Sequence, residues 1–262
     1  MAFRNPFRLS ALRPGALGLI RSRWRPADAL EAVSVAILLF VVPHFLGGAG
    51  VPQPSPGMVQ LLSGILVFPF ATLLLVLCGV ARRARDRREI LDTVFGLVPR
   101  RAFLRAVGFG AACGVAAVPF AGALAAATEL ALVRLGVEVA PQNAMALFLD
   151  SGAPALHRVI LAAHAVALAP LCEEILFRGI LLAAFLRGAR GSDGVAGDPP
   201  VVRAILLSAL FFAGVHMYLP GLPALAVLGA LFAALRLRER TLWASVAAHA
   251  AFNACNLVIA GG

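Results

Sequence analysis

An all-α, polytopic transmembrane helical bundle is the architecture this sequence predicts, and three observations predict it. Hydrophobic residues make up 61% of the chain and charged residues only 14%. The mean hydropathy is +0.90, and the apolar residues gather into successive runs long enough to form spanning helices. With 262 residues and about 20 per span plus short connections, the chain has room for about seven spans (six to eight) in one domain. It has no room for a separate soluble domain.

The apolar runs fall at 29–47, 58–81, 103–128, 156–187, 202–218, 221–236 and 241–259. Residues 1–28 precede them as a basic arm carrying Arg4, Arg8, Arg13, Arg21, Arg23 and Arg25. The first long run starts only near Ala29 and lacks a small-residue cleavage site, so the arm reads as a surface segment at the membrane rather than a signal or transit peptide. Residues 29–262 form the integral membrane domain. The run 156–187 is long for one span and contains Pro170. It fits either a tilted span or a re-entrant segment broken before the two glutamates that follow, because proline disrupts the preceding turn. Tyr218-Leu219-Pro220-Gly221 reads as a tight turn between two short spans, and the glycine-rich stretch 187–201 as a plain linker. The connection 136–154 holds Gln142 and Asn143, candidates to line an entrance.

The net charge is +10, and all 23 basic residues are arginine. These arginines lie in short clusters between apolar runs and do not cover one folded face, which argues for membrane topology and against nucleic acid as a partner. Six precede the first run, eight lie between Arg82 and Arg105, Arg187, Arg190 and Arg203 flank the linker, and Arg236, Arg238 and Arg240 follow the sixth run. If the runs alternate across the bilayer, all of these share one side, and only Arg134 and Arg158 lie on the other. The positive-inside rule then puts the N-terminus in the cytoplasm and the C-terminus outside. Cys78, Cys113, Cys172 and Cys255 lie in or beside apolar segments with no paired spacing, so no disulfide framework is indicated.

Three polar sets interrupt the later runs. The first is Cys172-Glu173-Glu174-x-x-x-Arg178. A charge near the bilayer centre costs about 2.5–3.5 kcal/mol even on insertion scales, so such groups face a protein interior or a wet cavity. Glu174 and Arg178 share a helix face and can pair, which leaves Glu173, about 100° round the helix, in need of another partner. The second set is Phe212-x-x-x-His216, and the third is His249-x-x-x-Asn253, each on one face of its run. If the three helices converge, Glu173 and His216 can hold and deprotonate a water, directly or through a divalent metal. His249 and Asn253 can then donate to a developing oxyanion. Glu173, His216 and His249 are also an acceptable zinc set, although no HExxH spacing is present. His44, His157 and His164 lack a motif partner and read as packing or interfacial residues.

These three motifs, in this order on successive apolar runs, resemble those of the CPBP family of intramembrane proteases, which includes the CAAX prenyl endopeptidases and bacterial Abi proteins. The resemblance covers about residues 140–257, including Ala169-Pro170 and Phe177-Arg178-Gly179. It implies a helical membrane core whose catalytic cavity opens to the cytoplasmic side or laterally to lipid. It further implies hydrolysis of a peptide bond in a membrane-anchored substrate near its anchor, by an enzyme of the bacterial inner membrane. Glu173 and His216 would activate water, His249 and Asn253 would stabilise the oxyanion, and Glu174, Arg178 and Phe212 would support the site, with or without zinc. Cys172, directly before the glutamates, resembles the cysteine of the myxosortase-like subgroup, which processes C-terminal sorting anchors. Its thiol would act as a nucleophile only with a base beside it. A non-enzymatic immunity or scaffold protein using the same cavity, and a proton-coupled transporter, are the rival readings. The transporter is disfavoured because the ionisable groups have no counterpart in the N-terminal half.

Overall fold

The computed structural model describes residues 94–139, 155–188 and 198–261. The basic arm, the runs 29–47 and 58–81, His44, Cys78, Gln142, Asn143 and residues 189–197 of the linker lie outside the described residues. Those described are helical, with short connections. Helix α1 spans Arg100–Arg134. Helix α2 is one continuous rod built from the segments Ala155–Ala163, His164–Leu168, Ala169–Glu174, Ile175–Leu181 and Leu182–Gly188, the second and fourth wound as π-helix. Helices α3, α4 and α5 span Asp198–Val215, Leu222–Glu239 and Leu242–Gly261. Among the described residues, three helical stretches are long and apolar enough to cross a membrane: Arg100–Arg134, Arg158–Leu186 and Leu242–Gly261. Val201–Val215 is a shorter apolar helix. The protein is a membrane protein.

Two helices differ from the expected bounds for identifiable reasons. Helix α1 has 35 residues and is therefore about 52 Å long, well beyond a hydrocarbon core of about 30 Å. The polar residues at both its ends have good helix propensity, so the helix outruns the apolar run that signals it. Helix α2 passes through Pro170 without a break. Its ring falls in the first turn of Ala169–Glu174, just after a π segment, and the rod continues past the missing N–H.

Small residues bring α1 and α5 into contact. A Cβ added at Gly110 or at Gly114 would overlap the backbone carbonyl of Ala244 or of Ala248 respectively. The Gly-x-x-x-Gly spacing on α1 thus matches an Ala-x-x-x-Ala spacing on α5, the close packing that drives helix association in lipid. Because residue numbers rise together along both, α1 and α5 run parallel, and the contact fixes the level of His249, next to Ala248. Gly114→Val is expected to lower stability by about 1–3 kcal/mol, measured as unfolding in detergent. Gly108→Ala and Gly122→Ala, with nothing within 4 Å of the new Cβ, should be neutral or slightly stabilising. Equal effects at all three positions would remove this packing account.

One end of the bundle collects the arginines. Arg105 pairs with Glu239 at 3.2 Å, and Arg238 pairs with Glu239 at 3.3 Å while its guanidinium lies 4.4 Å from the Phe109 ring centre. Arg236 donates to the Val94 carbonyl and Thr241 to that of Phe95. Gly96, at φ +65°, lets the chain pass so close to Arg240 that a Cβ would overlap its carbonyl, a combination open only to glycine. At the same end Leu182 and Leu186 of α2, Val201 and Ala204 of α3, and Ala233 and Leu237 of α4 form a buried cluster.

Candidate active site

Helix α2 carries the carboxylates on a short regular segment between two π turns. In the first turn the Ala169 N–H donates to the His164 carbonyl, five residues back. The Ala165 carbonyl therefore loses its usual donor, and the next residue in line, Pro170, has no N–H to give. Asn253 of α5 supplies the missing hydrogen, its Nδ2 donating to Ala165 O at 2.8 Å. An unsatisfied carbonyl costs about 1–3 kcal/mol when fully buried, and this one is part-buried, so Asn253→Ala should destabilise the protein by no more than that order. Adding Pro170→Ala, which restores an N–H to α2, should recover part of the loss. Unfolding of the two variants in detergent tests this, and the absence of any recovery would count against the proline as the cause.

The inner half of the site is an ion pair sealed in aromatic rings. Arg178 Nη1 donates to Glu174 Oε1 at 2.8 Å, and its Nη2 donates to the Gly229 carbonyl of α4 at 3.0 Å. Both side chains are fully buried. The guanidinium lies 4.3 Å from the Phe212 ring centre, 5.3 Å from that of Phe232 and 5.8 Å from that of Phe177, so stacking and cation–π attraction add to the hydrogen bonds. Gly229 can offer its carbonyl because α3 passes closely: a Cβ there would come within 2.9 Å of Ala209 Cα.

Glu174 also reaches α5. Its Oε1 lies 3.1 Å from His249 Nδ1. A carboxylate only accepts, so Nδ1 carries a proton and donates, which fixes the ring with Nε2 turned outward. Phe232 stacks on this imidazole at 5.0 Å with 22° between the planes, and Phe212 meets it edge-on at 5.7 Å. Just past the end of α3 the same logic applies to His216. Its Nδ1 donates to the Phe212 carbonyl at 2.7 Å, again leaving Nε2 free to face outward.

Both outward nitrogens meet Glu173. Its Oε2 lies 3.9 Å from His216 Nε2 and 3.8 Å from His249 Nε2, and it makes no hydrogen bond to a described residue. These three atoms face one point and are too far apart for direct hydrogen bonds, which leaves room between them for a small hydrogen-bonding group. Glu173 and His216 keep 17% and 20% side-chain exposure, against none for Glu174 and Arg178. The site is therefore dry and charged on its inner side and accessible on its outer side.

The fit to a metal is poor in this arrangement. Two ligands of a tetrahedral zinc at 2.0–2.1 Å lie about 3.3–3.4 Å apart, and the carboxylate-to-imidazole distances here are wider. Among the described residues no group of three or more His, Cys, Asp and Glu side chains is arranged to hold a metal ion.

The structure thus brings Glu173, Glu174, Arg178, Phe212, His216 and His249 together, and it turns Asn253 towards α2. Cys172 is buried and forms no hydrogen bond or ion pair with a described residue. His164 sits in the first π segment, away from the motif histidines in sequence. Sequence reasoning missed Phe232, whose ring covers both Arg178 and His249, and the carbonyls of Gly229 and Ala165. One phenylalanine among 17 has no signal, and a backbone carbonyl has none at all. The Gly110-x-x-x-Gly114 spacing was readable and points to the helix contact that levels His249.

Residues 155–255 match the family model for Rce1-like proteins, described as type II CAAX prenyl endopeptidase Rce1-like. Over this segment, which contains all three motifs, the chain resembles the CPBP intramembrane proteases. Comparison with curated proteins and with solved structures gave no match.

Proposed function

We propose, on the premise that residues 155–255 resemble the Rce1-like intramembrane proteases, that this protein is an intramembrane endopeptidase cutting a membrane-anchored protein or peptide near its anchor. The observation that carries the reading is the unpartnered Glu173 oxygen facing His216 and His249 Nε2 at 3.8–3.9 Å. One water within hydrogen-bond distance of Glu173 Oε2 and His216 Nε2 fits that gap. Glu173 takes its proton, and the water oxygen adds to the scissile carbonyl carbon. The oxyanion is met by the His249 ring, whose Nε2 faces the same gap and donates to it as Nε2–H. The amide N–H of Asn253 not engaged by Ala165 is the second donor. The proton on Glu173 then passes to the leaving nitrogen as the C–N bond breaks. Glu174 and Arg178 position His249 and touch no reacting atom, and Cys172 has a packing role.

In this reading the arginine-rich end of the bundle faces the cytoplasm and residues 29–262 form one membrane domain. The test is comparative proteomics of membrane and surface proteins in cells carrying Glu173→Gln. A precursor that keeps its anchor segment in the variant and loses it with the native protein is the expected result. An unchanged proteome, together with a variant that folds normally, would leave the non-enzymatic binding role as the better account.

A further inference from the structure

Helix α4 carries none of the three motifs, yet it touches both Arg178 and His249. Its residues, Leu222–Glu239, are small or aliphatic apart from the charged end, and Phe232 is the one aromatic among them. Gly229 and Phe232 are three apart and share a helix face. From that face the Gly229 carbonyl accepts from Arg178 Nη2 at 3.0 Å, and the centre of the Phe232 ring lies 5.3 Å from the Arg178 guanidinium and 5.0 Å from the centre of the His249 ring. Phe232 is fully buried. In a bilayer an apolar side chain gains little hydrophobic energy from burial, because lipid is as apolar as leucine. What the inward position gives this ring is contact with a cation and an imidazole.

His249 needs two restraints to aim Nε2, and they come from different helices. The hydrogen bond from Nδ1 to Glu174 Oε1, at 3.1 Å, fixes one atom of the ring and leaves its plane free to pivot about that point. The χ2 torsion that turns an imidazole is broad and resists little by itself. Phe212 meets the ring edge-on, with 80° between the planes, a contact that a turned imidazole can keep. Phe232 lies nearly parallel, with 22° between the planes, so turning the imidazole drives its edge into the phenyl face. Nε2 then stays aimed at the gap it shares with Glu173 Oε2, 3.8 Å away. Two residues, Arg240 and Thr241, join α4 to α5, and this short turn ties the levels of Phe232 and His249 together.

From these contacts we infer that Phe232 is a positioning residue for the reaction: by stacking on His249 it holds Nε2 in line with the developing oxyanion, while touching no reacting atom itself. This role rests on the endopeptidase reading, in which His249 meets the oxyanion. Helix α2 supplies the hydrogen bond that fixes Nδ1, and α4 supplies the surface that fixes the plane. Because Phe232 also covers Arg178, which holds Glu174, one ring steadies both ends of the chain Arg178–Glu174–His249. Misplacing a group by about 1 Å can cost about 10²-fold in rate. Removing the ring should therefore lower kcat by about 10–10²-fold and leave KM unchanged, the pattern of an interaction used in the transition state.

The test compares Phe232→Leu with Leu235→Val in the purified full chain, acting on the precursor that accumulates in Glu173→Gln cells. Leu235 is buried in the same apolar cluster, three residues nearer the arginine end of α4, so its variant loses packing but not the stack on His249. Phe232→Leu should show the loss of kcat at native KM, whereas Leu235→Val should lower the unfolding temperature and keep the native kcat. Phe232→Met, whose flexible side chain fills irregular space, takes the place of Phe232→Leu if the leucine variant does not fold. A second measurement needs no activity. In protein carrying isotope-labelled histidine, the magnetic resonance signal of the His249 Nδ1–H is assigned by its absence from His249→Gln. That proton should exchange slowly with water in the native protein and in Leu235→Val, and rapidly in Phe232→Leu. A Phe232→Leu protein with native kcat, with a raised KM in place of a lowered kcat, or with the slow proton retained overturns the inference, as does an equal loss of kcat in Leu235→Val. The proton can behave as expected while Glu173→Gln leaves processing intact, and it can stay slow in Phe232→Leu while Glu173→Gln abolishes processing, so the positioning role and the endopeptidase reading fail separately.

Discussion

Replacing Arg178 with alanine is expected to destabilise the folded protein by about 3–5 kcal/mol, the range for removing one partner of a buried ion pair. The variant leaves Glu174 with no solvent exposure and with His249 as its remaining charged or polar partner. It also frees the Gly229 carbonyl and opens the space among Phe177, Phe212 and Phe232 that the guanidinium fills. Each loss has the same sign. Arg178→Lys should recover only part, because a point ammonium cannot serve Glu174 and Gly229 together while lying flat on Phe212. The informative comparison is Glu174→Gln combined with Arg178→Met. Removing both charges should cost less than removing the arginine alone, since the penalty comes mainly from the stranded carboxylate. Unfolding in detergent measures all three. An Arg178→Ala protein as stable as the native one would show that the pair is not what holds α2 to α4.

Glu173→Gln should leave the fold intact and lower the peptidase rate by about 10²–10⁴-fold, the usual contribution of a positioned general base. The amide keeps the shape of the side chain, and Oε2 of the carboxylate it replaces makes no hydrogen bond to a described residue, so stability has little to lose. His216→Ala should lower the rate by a similar order, because its Nε2 faces the same point at 3.9 Å. Groups that act on one water are not additive. The double variant should therefore be about as slow as the slower single variant. Rates on an accumulated precursor, measured with purified proteins of equal thermal stability, decide it. Multiplying losses in the double variant would mean that the two residues serve separate steps.

The two predictions separate the neighbouring glutamates by what each loses, stability at Glu174 and rate at Glu173. That separation was visible in the sequence as a difference of about 100° around a helix, and so was the pairing of Glu174 with Arg178 four residues on. The membrane class, the helical architecture and the motif residues were equally legible, because each rests on composition or on spacing within one run. Helix ends were less so: α1 continues to Arg134 past the apolar run that signals it, since propensity and not hydropathy sets where a helix stops.

What crosses between helices was not legible. His249 touches both glutamates through its two nitrogens, although spacing on its own helix grouped it with Asn253 as an oxyanion donor. Asn253 was placed on the correct face, yet its bond to Ala165 depends on a π turn and a proline 88 residues earlier in the chain. Phe232 became part of the site only by stacking on His249. By itself the sequence determined which residues are too polar to face lipid, because the cost of exposing them there is a property of the residue and its run. Only the tertiary structure decided which of them meet and which carbonyl needs a donor, because those depend on the levels and tilts at which separate helices pack.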